Sequence, residues 1–382
     1  MLICGKVKLE ILQEELNKGL AIVSRFVSGR PQLPILANIL FSAKDNVLTL
    51  SATNLETSIR FFIGAKVEKE GEIAVPAKDI SEFISYLSPG KITLTVEKKT
   101  QLTVISSLGE SNFATQAAGD FPKIPTLDKE KAVSLPKEKL VEAVEKVAFC
   151  AADEESRPVL SAIFWQFGEK GCRLVATDGY RLSVKDIAGL KVQMVKKEKT
   201  NVFLVPARTF SEVVRLVGDD EKEILVNLLE KSNQMVFGLK NLQLTSRLIE
   251  GEFPEYEKII PAEKKVTVTV GKSEFYQAIK VASVFARQSA NVVKIEFNES
   301  KGIISANAPS VGENKTEFAA KISGAGIKIA FNYKFLLDFL SACTDKEEEI
   351  VIEMNTFETP AVFRYPADSS WFHLIMPIRV EW

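Results

Sequence analysis

The chain has 382 residues, 46% hydrophobic and 26% charged, with 49 basic against 50 acidic side chains and a net charge of −1. That length exceeds one core and suits two or three domains. The composition is that of an ordinary soluble globular protein, with no apolar run long enough to span a bilayer and no basic-then-apolar leader, so a cytoplasmic location is expected. Near-neutral charge excludes attraction to nucleic acid through bulk positivity. Cys4, Cys150, Cys172 and Cys343 are scattered without a Cys-x-x-Cys pair, which reads as buried free thiols and not as a disulfide frame or a zinc site.

In chain order, the first helical ladder is Leu16, Leu20, Val23 and Val27. The same steps of 4, 3 and 4 recur at Leu140, Val144, Val147, Ala151 and at Phe275, Ile279, Ala282, Ala286, each painting one stripe on a helix. A second ladder with steps of 3 and 4 follows in each copy: Ile80, Phe83, Leu87, then Phe210, Val213, Val217, then Leu336, Phe339, Cys343. Just before it stands a repeated run, Val75-Pro76-Ala77-Lys78, Val205-Pro206-Ala207-Arg208 and Phe331-Asn332-Tyr333-Lys334, at spacings of 130 and 126 residues. Strand-like runs lie between and after the helices, among them Val47 to Ala52, Ile92 to Val96, Cys172 to Ala176, Ile224 to Leu228, Val266 to Val270 and Ile350 to Glu353. Proline-bearing seams at Gly119-Asp120-Phe121-Pro122 and Gly251-Glu252-Phe253-Pro254 close the first two copies. The expectation is an α+β chain of three tandem homologous two-layer domains, two helices on a mostly antiparallel sheet, over residues 1–127, 128–260 and 261–382.

Lys78, Arg208 and Lys334 share one register at a helix start, where a cation opposes the helix dipole. Three in register suggest a lining that meets phosphates without reading bases, joined by Arg25, Lys146, Lys280 and Arg287 on the first helices. Interleaved aromatics of the kind that stack on single strands are not evident, so duplex is favoured. His373, the one histidine, lies between Phe372 and Leu374 and reads as structural. Gly271-Lys272-Ser273 lacks the upstream glycine of a phosphate loop, since Val266 stands there; the expectation is a turn with Ser273 as helix N-cap. Asp178-Gly179 between alternating strands reads first as a hairpin turn. A metal-dependent nuclease or phosphatase using Asp178 and Asp153 is a weaker reading, and a protein-gathering scaffold without DNA is another. Neither a cofactor nor a metal is expected.

Ala176-Thr177-Asp178-Gly179-Tyr180-Arg181-Leu182, the seam at Phe253-Pro254, the early Gly29-Arg30-Pro31 with Pro34-Ile35-Leu36, and the run Met376-Pro377-Ile378-Arg379 together resemble the bacterial DNA sliding clamps, the beta subunits of DNA polymerase III. The resemblance covers the whole chain. It implies a non-catalytic, head-to-tail homodimeric ring of six domains that encircles duplex DNA and tethers the polymerase III catalytic subunit, the clamp loader and other proteins carrying a clamp-binding motif. It further implies a partner-peptide pocket of Arg157, Leu160, Thr177, Gly179, Tyr180, Leu182, Pro254, Ile259, Leu374, Met376, Pro377, Ile378 and Arg379. Arg30 matches a DNA-contacting loop arginine, while Glu154, Pro158 and Val159 replace polar and aromatic residues that some relatives use in another loop. Phe113, Val284 and Phe285 match the apolar dimer contacts. Tyr180 stands where relatives commonly have histidine, and Glu381-Trp382 follows their usual ending.

Overall fold

Alternating strands and helical stripes follow one another in a fixed order, strand, helix, three strands, and the order recurs six times. A computed structural model describes residues 7–29, 33–97, 100–153, 157–168, 171–190, 201–344, 349–366 and 368–382. The first copy holds β1 (Val7–Leu12), α1 (Gln13–Val23), β2 (Asn38–Lys44), β3 (Val47–Thr53), β4 (Thr57–Gly64), a short β5 (Lys66–Lys69), β6 (Gly71–Pro76), α2 (Ala77–Tyr86), β7 (Lys91–Val96), β8 (Gln101–Ser106) and β9 (Gly109–Ala114). The second holds β10 (Val133–Pro136), α3 (Lys137–Val147), β11 (Ala162–Gly168), β12 (Gly171–Thr177), β13 (Arg181–Ala188), β14 (Val202–Pro206), α4 (Ala207–Leu216), β15 (Glu223–Leu229), β16 (Gln234–Gly238) and β17 (Leu242–Arg247). The third holds β18 (Val266–Gly271), α5 (Lys272–Ala286), β19 (Val292–Asn298), β20 (Lys301–Ala308), β21 (Gly312–Ser323), β22 (Ile327–Asn332), α6 (Tyr333–Ala342), β23 (Glu349–Met354), β24 (Ala361–Tyr365) and β25 (Asp368–Ile375). Each repeat is therefore itself two half-copies, a period the residue motifs do not reveal.

Two compact bodies result, Met1–Lys137 with Leu216–Leu248, and Glu138–Arg215 with Ile249–Trp382. The first carries a five-stranded sheet, β5-β1-β7-β8-β9, and an eight-stranded sheet, β10-β15-β16-β17-β4-β3-β2-β6. The second carries twelve strands, β14-β11-β12-β13-β25-β24-β23-β18-β21-β20-β19-β22. Every named pair is antiparallel. The division cuts through the second repeat because an antiparallel ladder, β4 with β17, draws its β15 to β17 into the first body, while β13 with β25 draws β11 to β14 into the second.

The helical stripes face inward as their spacing requires: Leu16, Leu20 and Val23 on α1, Leu140, Val144 and Val147 on α3, and all four ladder residues on α5 are buried. Each such side chain contributes about 1.5–3 kcal/mol through apolar burial. The last rungs depart from expectation. Val27 and Ala151 lie beyond 3₁₀ turns that end the first helices, Val217 lies just past α4, and Leu87 and Cys343 cap α2 and α6. Ser273 is not an N-cap: β18 runs straight into α5 with Gly271 at the cap, so Ser273 falls inside the first turn. Lys272 there donates to the Cys343 and Thr344 carbonyls at 3.0 and 3.2 Å, a cation at the C-terminal end of α6 where the dipole favours it.

Candidate functional site: a groove at the β13–β25 joint

The Asp-Gly pair turns β12 into β13 as its sequence demands. Asp178 Oδ1 accepts from the Tyr180 and Arg181 amides at 2.9 and 3.0 Å, Thr177 Oγ1 donates to the Arg181 carbonyl at 2.6 Å, and the Gly179 amide donates back to that hydroxyl at 3.0 Å. Gly179 takes φ +92°, a left-handed value that favours glycine. The other Asp178 oxygen holds Arg181 Nε at 2.9 Å, so this carboxylate is occupied by the turn. Arg181 is largely buried, reaches Asp338 on α6 at 2.6 Å, and lies over the rings of Phe335 (4.5 Å) and Phe149 (5.6 Å). Phe149, Phe335 and Asp338 are thus part of the site although only the position of Phe335, next to Lys334 in the repeated run, hinted at them.

Beyond the turn, Leu182 faces Leu374 across the β13–β25 ladder, and the Met376 amide donates to the Tyr180 carbonyl at 2.9 Å. Leu182 and Leu374 are fully buried with Val175, Val184, Tyr256 and Val362, and Met376 and Phe253 pack on that cluster. Tyr180 stands 64% exposed above this floor, with Ile259 at 44% on the Tyr256–Ile259 turn. Arg157 lies beside Gly179, its Nη1 3.8 Å from where a side chain there would begin. Leu160 is buried on the following 3₁₀ turn, Pro254 is exposed, and the Ile378 amide donates to the Ala330 carbonyl at 2.8 Å. Arg379 pairs with Glu358 at 3.3 Å, and Phe357, next to Glu358 in the chain, is exposed. Apolar floor, polar rim and a fixed backbone are what an extended peptide with apolar anchors needs.

Elsewhere the expected residues are less gathered. Lys78, Arg208 and Lys334 are exposed second residues of α2, α4 and α6, and the Lys334 amide is capped by Asn332 Oδ1 at 3.0 Å. Arg30 and Glu154 lie outside the described residues; Pro158 is exposed and Val159 half-buried. Lys146 is not a lining cation: it is 3% exposed, with its ammonium 4.1 Å from the Trp371 ring centroid. Arg25 falls in a 3₁₀ turn and Arg287 caps α5. Phe113 stacks edge-on against Phe83 at 5.1 Å, Val284 is half-exposed, and Phe285 Cε1 lies 3.8 Å from the Gly312 side-chain position.

His373 is fully buried, stacked on Phe339 at 5.2 Å, with Nδ1 3.5 Å from Cys150 Sγ. Burial, with Arg181 adding, holds its pKa well below the ordinary 6.5. Burial pushes the Cys172 thiol up to about 11 and the Cys150 thiol well above its usual range, so both are protonated at neutral pH. Among the described residues no set of three or more His, Cys, Asp and Glu side chains is placed to hold a metal, and no helix is long and apolar enough to cross a membrane.

The fold defines a tandem α+β protein, three two-helix copies on antiparallel sheets, with an apolar cluster rimmed by polar side chains at one joint. The DNA polymerase III beta subunit family models match in order: the N-terminal domain over residues 7–125, the central domain over 134–255 and the C-terminal domain over 257–379. The chain belongs to the DNA polymerase III beta subunit family, the beta sliding clamps. The beta sliding clamp of Synechocystis is 31% identical, with 98% of this chain and all of that one aligned, and that of Staphylococcus aureus strain Mu50 is 28% identical over 98% of each. Among solved structures, the Bacillus subtilis DNA polymerase sliding clamp superposes with a TM-score of 0.92 at 26% identity over 99% of this chain and all of that one. The Thermotoga maritima beta subunit gives 0.86 at 27%, over 98% and 100%.

Proposed function

We propose that two copies of this chain close head to tail into a ring of six domains, cut near 1–127, 128–260 and 261–382. The ring encircles duplex DNA and tethers the replicative polymerase without catalysing a reaction itself. One observation carries the reading: the chain has three repeats but fills only two joints. β17 closes on β4 and β25 on β13, whereas β9 and the 312–319 stretch of β21 have no ladder partner on their outer side among the described residues. In the filled joints Ser246 faces Thr57 and Ile375 faces Arg181. Aligned by register, Phe113 corresponds to Ser246 and Ile375, and Gly312 to Thr57 and Arg181. A second copy's Gly312 then faces Phe113 beside Phe285, and its Lys315 faces Glu110, giving an apolar contact with an opposite-charge pair. Two such joints, related by a twofold axis, would pair both of these open stretches, β9 and the start of β21.

The helix-start cations Lys78, Arg208 and Lys334, with Arg30, would meet the phosphates, twice over in the ring. Their charge supplies salt-dependent attraction without sequence reading. The groove at β13–β25 takes apolar-anchored segments of the polymerase III catalytic subunit, the clamp loader and other partners, in the cytoplasm. The test is topological. Protein loaded on nicked circular DNA by a clamp loader should be retained through gel filtration and lost when the circle is cut; loss unaffected by cutting, or a solution mass of one chain at micromolar concentration, would overturn the ring.

A further inference from the structure

Each repeat leaves its last strand by the same hydrogen bond. The Gln116 amide donates to the Ala74 carbonyl at 2.9 Å, Ile249 to Leu204 at 2.9 Å and Ile378 to Ala330 at 2.8 Å. Those three carbonyls sit at one register, immediately before Val75, Val205 and Phe331 of the repeated run. In the first two repeats the chain next presents an acid and an aromatic, Asp120-Phe121 and Glu252-Phe253, and the aromatic returns to its own sheet. Phe121 is buried with Ile35, Leu36, Ala74 and Leu40. Phe253 lies 5.1 Å from Phe164, ring centroid to ring centroid. Leu40 pairs with Ala74 and Phe164 with Leu204, so both aromatics land on the same outer-face position.

The third repeat keeps the device with a different floor. Lys294 pairs with Ala330 and so occupies the position of Leu40 and Phe164. Glu381-Trp382 occupies that of the acid and aromatic. The Trp382 ring lies 5.4 Å from the Lys294 ammonium and 5.6 Å from that of Lys328, and Lys294 also donates to the Glu381 carbonyl. Lys328 is itself anchored by Glu296 at 3.0 Å. A cation under an indole replaces the apolar contact of the other seams.

We propose that Glu381-Trp382 is the third copy of the seam lock, and that Trp382 is a positioning residue for the peptide groove. Pinning residues 379–382 on the β19–β22 face holds Met376, Pro377 and Ile378 in the wall that a peptide meets. Without the lock, that wall keeps the amide bonds of Met376 and Ile378 and the exposed Arg379–Glu358 pair. Ordering the wall then falls on the peptide, which lowers its affinity. This rests on the groove reading under Proposed function, and the experiment separates the two.

The intact protein is titrated against a short fluorescein-labelled peptide carrying leucine and phenylalanine anchors, with thermal unfolding and iodide quenching measured in parallel. Trp165 and Trp371 are buried, so iodide reports Trp382. Trp382→Ala should weaken the peptide about three- to tenfold with an unchanged unfolding midpoint. Trp382→Phe, the residue type of the other two seams, should restore binding, and Lys294→Ala with Lys328→Ala should raise quenching and weaken the peptide together. Wild-type affinity in Trp382→Ala, or quenching unchanged in the double variant, overturns the lock while leaving the groove standing. A wild-type protein that does not bind the peptide overturns the groove reading, and the positioning role with it.

Discussion

In the β4–β17 joint the Arg247 amide donates to the Glu56 carbonyl, and in the β13–β25 joint the Met376 amide donates to the Tyr180 carbonyl, both at 2.9 Å. The turns feeding them match bond for bond. Thr53 Oγ1 donates to the Thr57 carbonyl as Thr177 does to that of Arg181, and Asn54 Oδ1 accepts from the Glu56 and Thr57 amides as Asp178 Oδ1 does from Tyr180 and Arg181. Leu55 even takes the left-handed φ, +75°, of Gly179. What differs is side-chain chemistry: at the turn, Glu56 against Tyr180, Arg247 against Met376 and Thr57 against Arg181; along the ladder, Ser58 and Thr245 against Leu182 and Leu374. The backbone makes the joint, and these side chains give the second one an apolar floor while the first shows charge to water.

The comparison breaks most completely at the joint a single chain leaves open. Phe113→Asp puts a carboxylate where the proposed ring register would set an apolar contact with Gly312 and Phe285, and should weaken dimerisation by on the order of 3 kcal/mol, over a hundredfold. Sedimentation should then show single chains that still bind the fluorescent peptide. The register is sharpened by charge: Glu110→Lys should weaken the dimer modestly and Lys315→Glu in the same chain should restore it, whereas no restoration would mean a shifted register. Next in size is Arg181→Ala. It strips Asp178 and Asp338 of a largely buried partner, a loss of about 2–4 kcal/mol in urea unfolding given that Asp338 is half-exposed. Thr57→Ala in the other joint removes no charge and should cost under about 1 kcal/mol; equal losses would dissolve the contrast.

Much of this was legible in the residues. The ladders predict all six helices because a 3.6-residue stripe needs only local pattern, and Asp178-Gly179 predicts its turn because the carboxylate closes on amides two and three residues away. What was not legible depends on distant partners. Lys146 looks like a solvated cation on its helix, and only the arrival of Trp371 and Tyr365 from the third repeat buries it. Of the groove residues named by resemblance, Leu182, Leu374 and Met376 share one apolar cluster and Arg157 lies beside Gly179, yet Phe149 and Asp338, which meet Arg181, carry no local mark that ties them to it. Ser273 is not the cap because β18 runs to Gly271, which takes the cap position itself and places Ser273 in the first turn of α5.

A smaller effect is expected where one joint is given the other's surface. Tyr180→Glu makes the second joint resemble the first at its most exposed point, and should weaken the labelled peptide at least tenfold, about 1.4 kcal/mol, through lost apolar contact and an unpaired charge. Because Tyr180 is 64% exposed, unfolding should shift by less than about 0.5 kcal/mol. Undiminished binding would move the groove away from the turn.

The smallest effect is a slope. The first joint has Leu244 and the second His373 at one register position, so only the second carries a buried imidazole. Its pKa is held well below 6.5 by burial, and by Arg181 nearby, whereas the unfolded chain takes up that proton near pH 6.5. The unfolded state therefore binds more protons below that pH. Stability from neutral His373 is present above about pH 6.5 and falls as pH drops beneath it, by up to about 1.4 kcal/mol per unit. Carboxylates titrate lower, so between pH 6.5 and about 5.5 the slope belongs to this one histidine, the only one in the chain. Urea midpoints measured across that window should fall with acid in the wild type and stay nearly level in His373→Gln, whatever the variant's absolute stability. Parallel slopes would mean the ring is protonated within the folded joint, and that the β13–β25 core is wetter than its packing implies.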